Sequence, residues 1–292
     1  MKLALFGKSI RDENYPYLLQ LISILEENAC ELIIYKPFLE GLKASRGFEC
    51  KAGLFSNHRE LIGNADMVFS IGGDGTLLDT VSFVRNSGIP VLGINLGRLG
   101  FLSSISRDEI LLAVQKVISG DYLIEKRTLL KLESDRNLFG EFRYALNDLT
   151  VTRKDSTALI VIKVYVDGVF LNSYWADGLI VATPTGSTAY SLSSGGPIVA
   201  PGSENFVITP LAPHNLTIRP IVISDKSKVS LRVEGRDRQY LVSLDSKTDV
   251  IEPGDELRIS RADFSFNLVK IEHKDFYTTI RDKLKWGLDV RN

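Results

Sequence analysis

The sequence predicts an α/β N-terminal domain, with a parallel sheet and flanking helices, followed by a β-rich C-terminal domain and a helix that packs back on the first domain. Two observations support this organisation. The chain has 292 residues, which exceeds the usual size of one hydrophobic core. Short β-rich runs alternate with helical patterns up to about residue 125, and beyond Arg127 the hydrophobic period changes to two. The predicted boundaries are 1–126, 127–271 and 272–292; a single large α/β domain is the alternative.

The elements of the first domain follow from this alternation. Residues 3–7, 32–35, 66–71 and 90–94 read as strands, and residues 15–28 and 76–85 read as helices. Ser106, followed three residues later by Glu109, forms a capping box and predicts a helix that runs to Gly120. Because parallel strands require crossover connections, strands separated by helices predict a parallel sheet.

The second domain is predicted from alternating polar and apolar positions. Asp167-Gly168 lies between two such runs and predicts a tight hairpin, since a type I′ turn needs positive φ at both central residues. Further strands are predicted at residues 160–166, 228–233, 239–244, 256–259 and 264–271, with Asp263 separating the last two. Strands joined in this way are typical of antiparallel sheets.

The C-terminal segment returns to a helical pattern. Phe276, Ile280, Leu284 and Leu288 recur at four-residue spacing and form one apolar face. A helix attached to a β domain must bury such a face, and we expect the α/β layer to cover it.

The composition excludes several classes of function. The 35 basic residues are balanced by 36 acidic ones, which disfavours a nucleic-acid partner. No apolar stretch approaches the ~20 residues that span a bilayer, so no membrane partner is predicted. Cys30 and Cys50 lack CxxC spacing and the three histidines form no ligand set, so no protein-held metal site is predicted. Charged residues from Lys8 onward interrupt any signal-peptide core, which favours a cytoplasmic location.

A glycine-rich loop connects the predicted strand 66–71 with the following helix. Its sequence, Gly72-Gly73-Asp74-Gly75-Thr76, lets the phosphates of a ligand approach backbone amides at a helix N-terminus. It is neither a Walker loop nor a dinucleotide fingerprint. Asp74 places a carboxylate beside phosphate, which suits metal bridging or proton abstraction from a hydroxyl. An ordinary Asx-type turn is the alternative.

Two further polar segments are candidates for nucleotide binding. The first runs from Asp177-Gly178 through a predicted strand into a stretch rich in threonine and serine. In the simpler interpretation this stretch is a well-capped helix that opens near Ser187. The second segment, Asn147-Asp148, lies in a β pattern, where a turn or bulge is the alternative.

Taken together, these motifs resemble the NAD kinase family, which phosphorylates the 2′-hydroxyl of the adenosine ribose of NAD to make NADP. The resemblance spans most of the chain and rests on residues 72–76, 97–102, 147–148, 177–178, 183–197, 213–214 and 281–287. The first loop alone is less specific, because diacylglycerol kinases and phosphofructokinases share it. A departure occurs late in the β domain, where Asp245-Ser246 replaces the family's usual Asp-Gly and leaves the role of that turn open.

The resemblance implies that NAD binds between the two domains and that Asp74 is the proton acceptor. It implies a phosphate-binding loop formed by Gly72, Gly73, Gly75 and Thr76. The implied substrate-binding residues are Gly75, Asn147, Asp148, Asp177, Thr188, Ala189, Tyr190, Ser191, Leu192, Ser193 and Ala212. Family members use Mg²⁺ with ATP, some accept other triphosphates or polyphosphate, and they assemble as homodimers or homotetramers. A lipid kinase of the diacylglycerol kinase type and a non-catalytic NAD(P) sensor are the alternatives.

Overall fold

The fold is that of a computed structural model, in which residues 1–97, 100–103, 105–154, 159–235, 238–271 and 276–286 are described. The chain forms two compact units. One comprises Met1–Lys126 and Phe266–Asn292, and the other comprises Arg127–Ser265. No helix among the described residues is both long and apolar enough to span a membrane.

The first unit begins with alternating strands and helices. In chain order they are β1 (Lys2–Gly7), α1 (Tyr15–Glu27), β2 (Glu31–Tyr35), α2 (Lys36–Arg46), β3 (Gly53–Phe55), α3 (His58–Leu61), β4 (Met67–Ile71), α4 (Asp74–Val84), β5 (Val91–Asn95), β6 (Ile105–Ser106) and α5 (Ile110–Ser119). The capping box of Ser106 and Glu109 is present before α5, as predicted. Helix α2 was not predicted.

The sheet of this unit is parallel, in the order β5-β4-β1-β2-β3. Leu5, Phe69 and Leu92 lie on neighbouring strands and are buried with Leu21 of α1 and Val114 of α5 in one apolar core. Because the strands are parallel, the carboxyl ends of β1, β4 and β5 share one edge of the sheet. Open α/β sheets usually bind their ligands at this edge.

The second unit is dominated by strands. They are β7 (Leu123–Ser134), which starts before the unit boundary, β8 (Tyr144–Ala145), β9 (Asp148–Arg153), β10 (Ile160–Val166), β11 (Val169–Ala176), β12 (Gly178–Ala182), the short helix α6 (Tyr190–Ser193), β13 (Asn205–Leu211), β14 (Ile221–Ser224), β15 (Val229–Glu234), β16 (Tyr240–Leu244), β17 (Lys247–Ile251) and β18 (Glu256–Lys270). The predicted hairpin is present between β10 and β11, where Asp167 and Gly168 have φ values of 52° and 80°.

Two antiparallel sheets share the core of this unit. One has the order β11-β10-β15-β18, and the other has the order β14-β13-β12-β9-β16-β17. Ile162 and Leu231 from the first sheet are buried in one cluster with Leu149, Val151 and Val242 from the second. The alternating sequence pattern is therefore explained by burial of one face of each strand.

The chain then returns to the first unit through β18 and the C-terminal helix α7 (Phe276–Leu284). Within this unit Leu268 of β18 pairs in parallel with Val91 of β5. The predicted break in β18 at Asp263 is wrong, because Asp263 occupies an exposed position of one continuous strand. Ile280 of α7 is buried, whereas Leu288 lies outside the described residues. The predicted fold class, including the C-terminal helix, is confirmed.

Candidate functional site

The glycine-rich loop turns the chain sharply from β4 into α4. Gly72 has φ of 150°, which side-chain-bearing residues rarely adopt, and a Cβ at this position would overlap the side chain of Thr76. Gly73 is the N-cap residue, and Asp74 is the first residue of α4. The N–H groups of Gly72 and Thr76 donate to Ile94 O and Gly73 O, and the start of the helix between them places backbone amides and a carboxylate at the carboxyl edge of the parallel sheet.

Three backbone amides fix the carboxylate of Asp74. The N–H of Phe101 donates to Oδ2 at 2.7 Å, while the N–H groups of Leu102 and Ser103 donate to Oδ1 at 3.1 and 2.9 Å. A carboxylate has about four acceptor positions, two on each oxygen. These bonds occupy both positions on Oδ1 and one on Oδ2, which leaves Oδ2 able to accept one more hydrogen bond.

Two other residues of the first unit contact the Asp74 side chain or interact with its charge. Gly100 packs directly against it, since a Cβ at Gly100 would overlap Cγ and both carboxylate oxygens. Lys283 of α7 interacts electrostatically with Asp74. Burial lowers the pKa of Lys283, and the negative charge of Asp74 opposes this shift. Arg98, Leu99 and Gly287, which belong to the motifs quoted above, lie outside the described residues.

A cavity of about 600 Å³ opens beside the glycine-rich loop within the first unit. It is lined by residues at the carboxyl ends of β1, β4 and β5, namely Ser9, Ile10, Arg11, Asn14, Ile71, Gly72, Gly73, Asn95, Leu96 and Gly97. Oδ1 of Asn14 is buried and has no hydrogen-bond partner within the described part of the chain. Neither Arg11 nor Asn14 belongs to a sequence motif, so neither was among the predicted site residues.

In the second unit, Asn147 and Asp148 lie where the chain enters β9. Asn147 is half-buried, whereas Asp148 is only 7% exposed and accepts a hydrogen bond from Thr150 Oγ1 at 3.0 Å. Burial raises the pKa of Asp148 to about 6, and the hydrogen bond from Thr150 opposes this shift. The alternative of an ordinary turn does not account for a buried carboxyl group at this position.

Asp245 lies next to this segment, although it is almost 100 residues away in the chain. Its carboxylate accepts hydrogen bonds from the backbone N–H groups of Leu146, Asn147 and Asp148. Burial raises the pKa of Asp245 to about 7, while the three amides oppose the rise and the charge of Asp148 adds to it. Asp245 was noted in the sequence only because Ser246 follows it in place of the family's usual glycine.

The threonine- and serine-rich stretch after β12 is held mainly by its own hydrogen bonds. The N-cap role predicted for Ser187 is wrong, because its hydroxyl donates to Pro184 O and accepts from Val199 N–H. Ser191 is buried and hydrogen-bonds to Thr209. The other residues implied here are more accessible: Thr188, Ala189 and Leu192 are half-buried, and Tyr190 and Ser193 are exposed.

The structure separates the candidate residues of the second unit into two groups. Thr183 N–H donates to Asn147 O, which joins the stretch after β12 to the Asn147-Asp148 segment. Asp177 lies at the other end of β12, since Ala182 pairs with Asp148 and Gly178 pairs with Thr152. There Asp177 forms an ion pair with Arg153 at 3.3 Å and lies next to the exposed Ala212, which has φ of 42°.

Comparisons with known proteins agree over nearly the whole chain. The family models for the ATP-NAD kinase N-terminal and C-terminal domains match residues 3–122 and 146–271. NAD kinases from Cytophaga hutchinsonii and Flavobacterium psychrophilum are each 44% identical over the full length of both chains.

Solved structures give the same result. A yeast NADH kinase complexed with NADH is 26% identical, with a TM-score of 0.88, and the match covers 99% of this chain and 89% of that one. An NAD kinase from Archaeoglobus fulgidus in complex with ATP is 25% identical, with a TM-score of 0.74, covering 96% and 99% of the two chains. The matches in sequence and in fold show that the chain belongs to the NAD kinase family.

Proposed function

We propose that this chain transfers the terminal phosphoryl group of ATP to the 2′-hydroxyl of the adenosine ribose of NAD and so forms NADP. The observation that carries the proposal is the carboxylate of Asp74, which three amides orient beside the glycine-rich loop. A phosphotransferase with an alcohol acceptor needs a proton acceptor close to bound phosphates.

In this proposal the donor phosphates bind at the Gly72-Gly73 turn and the start of α4, with Gly75 and Thr76 contributing to the same loop. Free amides at a helix N-terminus stabilise negative charge. The adjoining 600 Å³ cavity offers space for the rest of the donor, and Arg11 places a cation in its lining. Oδ1 of Asn14, which has no hydrogen-bond partner among the described residues, provides an acceptor for a hydroxyl or a bound water.

The acceptor nucleotide, NAD, is assigned to Asn147 and Asp148 together with residues 188–193. Asp148 supplies a carboxyl group with little exposure to water, where hydrogen bonds to ribose hydroxyls are strong. Asp177 and Ala212 are assigned to a different part of the same nucleotide, because they lie at the opposite end of β12.

The proposed chemistry is an in-line displacement. The 2′-oxygen forms a bond to the γ-phosphorus, the bond from that phosphorus to the β,γ-bridging oxygen breaks, and ADP leaves. The proton of the 2′-hydroxyl passes to Oδ2 of Asp74, which has the remaining acceptor position. Because the transition state of phosphoryl transfer is loose, most of the rate comes from positioning and charge stabilisation. The base adds roughly 10²- to 10⁴-fold.

Mg²⁺ is proposed to accompany ATP. Within the described ranges no three metal-ligating side chains come together. Mg²⁺ often binds through substrate phosphates with only one or two carboxylates. The chain therefore suits a metal ion held chiefly by the phosphates on the glycine-rich loop, where it would neutralise charge during transfer.

We propose a cytoplasmic homodimer or homotetramer with NAD and ATP as its partners and without nucleic acid or membrane partners. The near balance of 35 basic and 36 acidic residues supports the exclusion of nucleic acid. Light scattering at several protein concentrations measures the number of subunits.

The first experiment measures NADP formation from NAD, ATP and Mg²⁺ with a coupled NADP-specific dehydrogenase. Replacing Asp74 by Asn should lower kcat by roughly 10²- to 10⁴-fold and leave NAD affinity within a few-fold. Asp66→Asn is the matched control. Asp66 comes just before the amino end of β4, away from Asp74, and the one hydrogen bond described for its side chain is accepted from the N–H of Lys2. Near-normal turnover of Asp74→Asn would exclude the base assignment.

The same assay, run beside a measurement of NAD binding and a test of diacylglycerol as acceptor, separates the alternatives. NAD binding without turnover, with every donor tested, would favour a non-catalytic sensor. Phosphorylation of diacylglycerol in place of NAD would favour a lipid kinase, which the family models and the identified relatives already disfavour.

A further inference from the structure

Asp245 forms an unusually complete set of contacts with one short backbone segment. It lies in the tight turn between β16 and β17, and its carboxylate accepts the N–H groups of Leu146, Asn147 and Asp148 at 2.8, 2.9 and 3.1 Å. Its own N–H donates to the carbonyl oxygen of Asp148 at 3.1 Å. One residue therefore satisfies three donors and one acceptor of residues 146–148.

The opposite side of this segment is also fixed. Thr183 donates from Oγ1 to Leu146 O at 2.5 Å and from its N–H to Asn147 O at 2.9 Å. Gly186 packs so closely that a Cβ there would overlap the backbone of Asn147. The backbone that carries Asn147 and Asp148 is therefore held on one side by the turn at Asp245 and on the other by residues 183–186.

The placement of the Asp245 carboxylate, rather than the shape of its turn, indicates a role beyond chain reversal. The φ of 50° at Asp245 is ordinary for the first residue of a two-residue hairpin turn, as is the φ of 52° at Asp167. Asp245 is half-buried, and its carboxyl group lies beside a second acid, Asp148, so this placement costs free energy that the three amide contacts offset. A plain hairpin turn would be made as well by asparagine, which has no charge to bury.

We propose that Asp245 is a positioning residue for the acceptor nucleotide. It fixes the backbone of Asn147 and Asp148 so that their side chains meet NAD in one geometry. The inference rests on the proposed assignment of Asn147 and Asp148 to NAD. It gives a role to the Asp245-Ser246 turn, because the contacts described depend on the carboxylate and not on the residue after it.

The test is Asp245→Asn, which keeps a residue that tolerates positive φ but removes the charge and leaves an amide group facing the three N–H donors. At pH 8, above the raised pKa of Asp245, loss of hydrogen bonds to the charged carboxylate should raise the KM for NAD by roughly tenfold or more, with the KM for ATP unchanged within a few-fold. Asp249→Asn is the control. Asp249 lies in the same hairpin, and its carboxylate binds the N–H of Phe139 instead.

A merely structural role would lower the thermal midpoint and the active fraction in both variants without changing the KM of the remaining enzyme. The combination Asn147→Ala with Asp245→Asn adds a second test. If Asp245 acts through Asn147, the two effects on the KM for NAD are clearly less than multiplicative. Multiplicative effects, or an unchanged KM in Asp245→Asn, overturn the inference. Failure of the wild-type chain to phosphorylate NAD would instead overturn the proposed function.

Discussion

The replacement of Gly100 by Ala tests whether the fixed orientation of Asp74 matters for catalysis. The added Cβ would overlap Cγ, Oδ1 and Oδ2 of Asp74. The carboxylate cannot turn aside freely, because the amides of Phe101, Leu102 and Ser103 hold it at 2.7, 3.1 and 2.9 Å. Either these bonds lengthen and break or the loop that carries Gly100 moves away.

The size of the effect of Gly100→Ala follows from the amide hydrogen bonds to Asp74 that the added Cβ would break. A hydrogen bond to a charged group contributes roughly 1.5–3 kcal/mol, so loss of two of the three costs roughly 3–6 kcal/mol. Displacing a general base from its position forfeits up to the 10²- to 10⁴-fold that it supplies. We therefore expect kcat to fall by roughly 100-fold or more, with the KM for NAD within a few-fold of the wild-type value.

The measurement is the steady-state rate of NADP formation at saturating NAD and ATP, together with the thermal midpoint of unfolding. Gly41→Ala is the control, since a Cβ at Gly41 in α2 meets no atom within 4 Å. A Gly100→Ala enzyme whose kcat stays within twofold of the wild type would refute the reasoning from the Asp74 geometry.

Two further predictions concern the donor cavity and the buried acids. Arg11→Ala should raise the KM for ATP by roughly three- to tenfold and leave the KM for NAD unchanged. Because Arg11 is an exposed cation, added salt should reduce the difference between the variant and the wild type. An unchanged KM for ATP at low salt would exclude Arg11 from the donor site. Burial raises the pKa of Asp245 from 3.8 to about 7, with Asp148 as its acidic neighbour. Between these two pH values the folded protein keeps the Asp245 proton and the unfolded chain has lost it. The stability that this proton gives the folded protein is therefore fully present below about pH 4 and is lost as the pH rises to about 7. At ~1.36 kcal/mol per pKa unit this loss is at most roughly 4 kcal/mol. Urea unfolding from pH 4 to 8 should show a smaller decrease for Asp245→Asn than for the wild type, and equal decreases would contradict the buried-acid argument.

The sequence predicted an element of the fold correctly where that element depends on contacts between neighbouring residues. The Asp167-Gly168 hairpin and the Ser106–Glu109 capping box depend on neighbouring residues, and both are present. Helix α2 was missed because only Phe38 and Leu42 of its residues are buried and Pro37 and Gly41 interrupt the pattern. A polar residue such as Asp263 looks like a break in a strand until its exposed position is known.

The candidate site was predictable only as a set of motifs. The glycine-rich loop and Asp74 can be found from the sequence, because a strand leads directly into a helix there. The amides that orient Asp74 come from residues 27–29 positions further along the chain, and Asp245 reaches residues 97–99 positions before it. No local pattern encodes contacts of this range, since they follow from how the strands are arranged in the sheets.

The amide contacts of Asp74 have a consequence for regioselectivity. A ribose offers two neighbouring hydroxyls of nearly equal reactivity, and a freely rotating carboxylate could deprotonate either of them. With Oδ1 saturated by Leu102 and Ser103 and Oδ2 bound by Phe101, the carboxylate has one direction in which it can accept a proton. The choice of hydroxyl would then be decided by a rigid base as much as by the fit of the nucleotide. Loosening the backbone of residues 101–103 should therefore yield a mixture of 2′- and 3′-phosphorylated products.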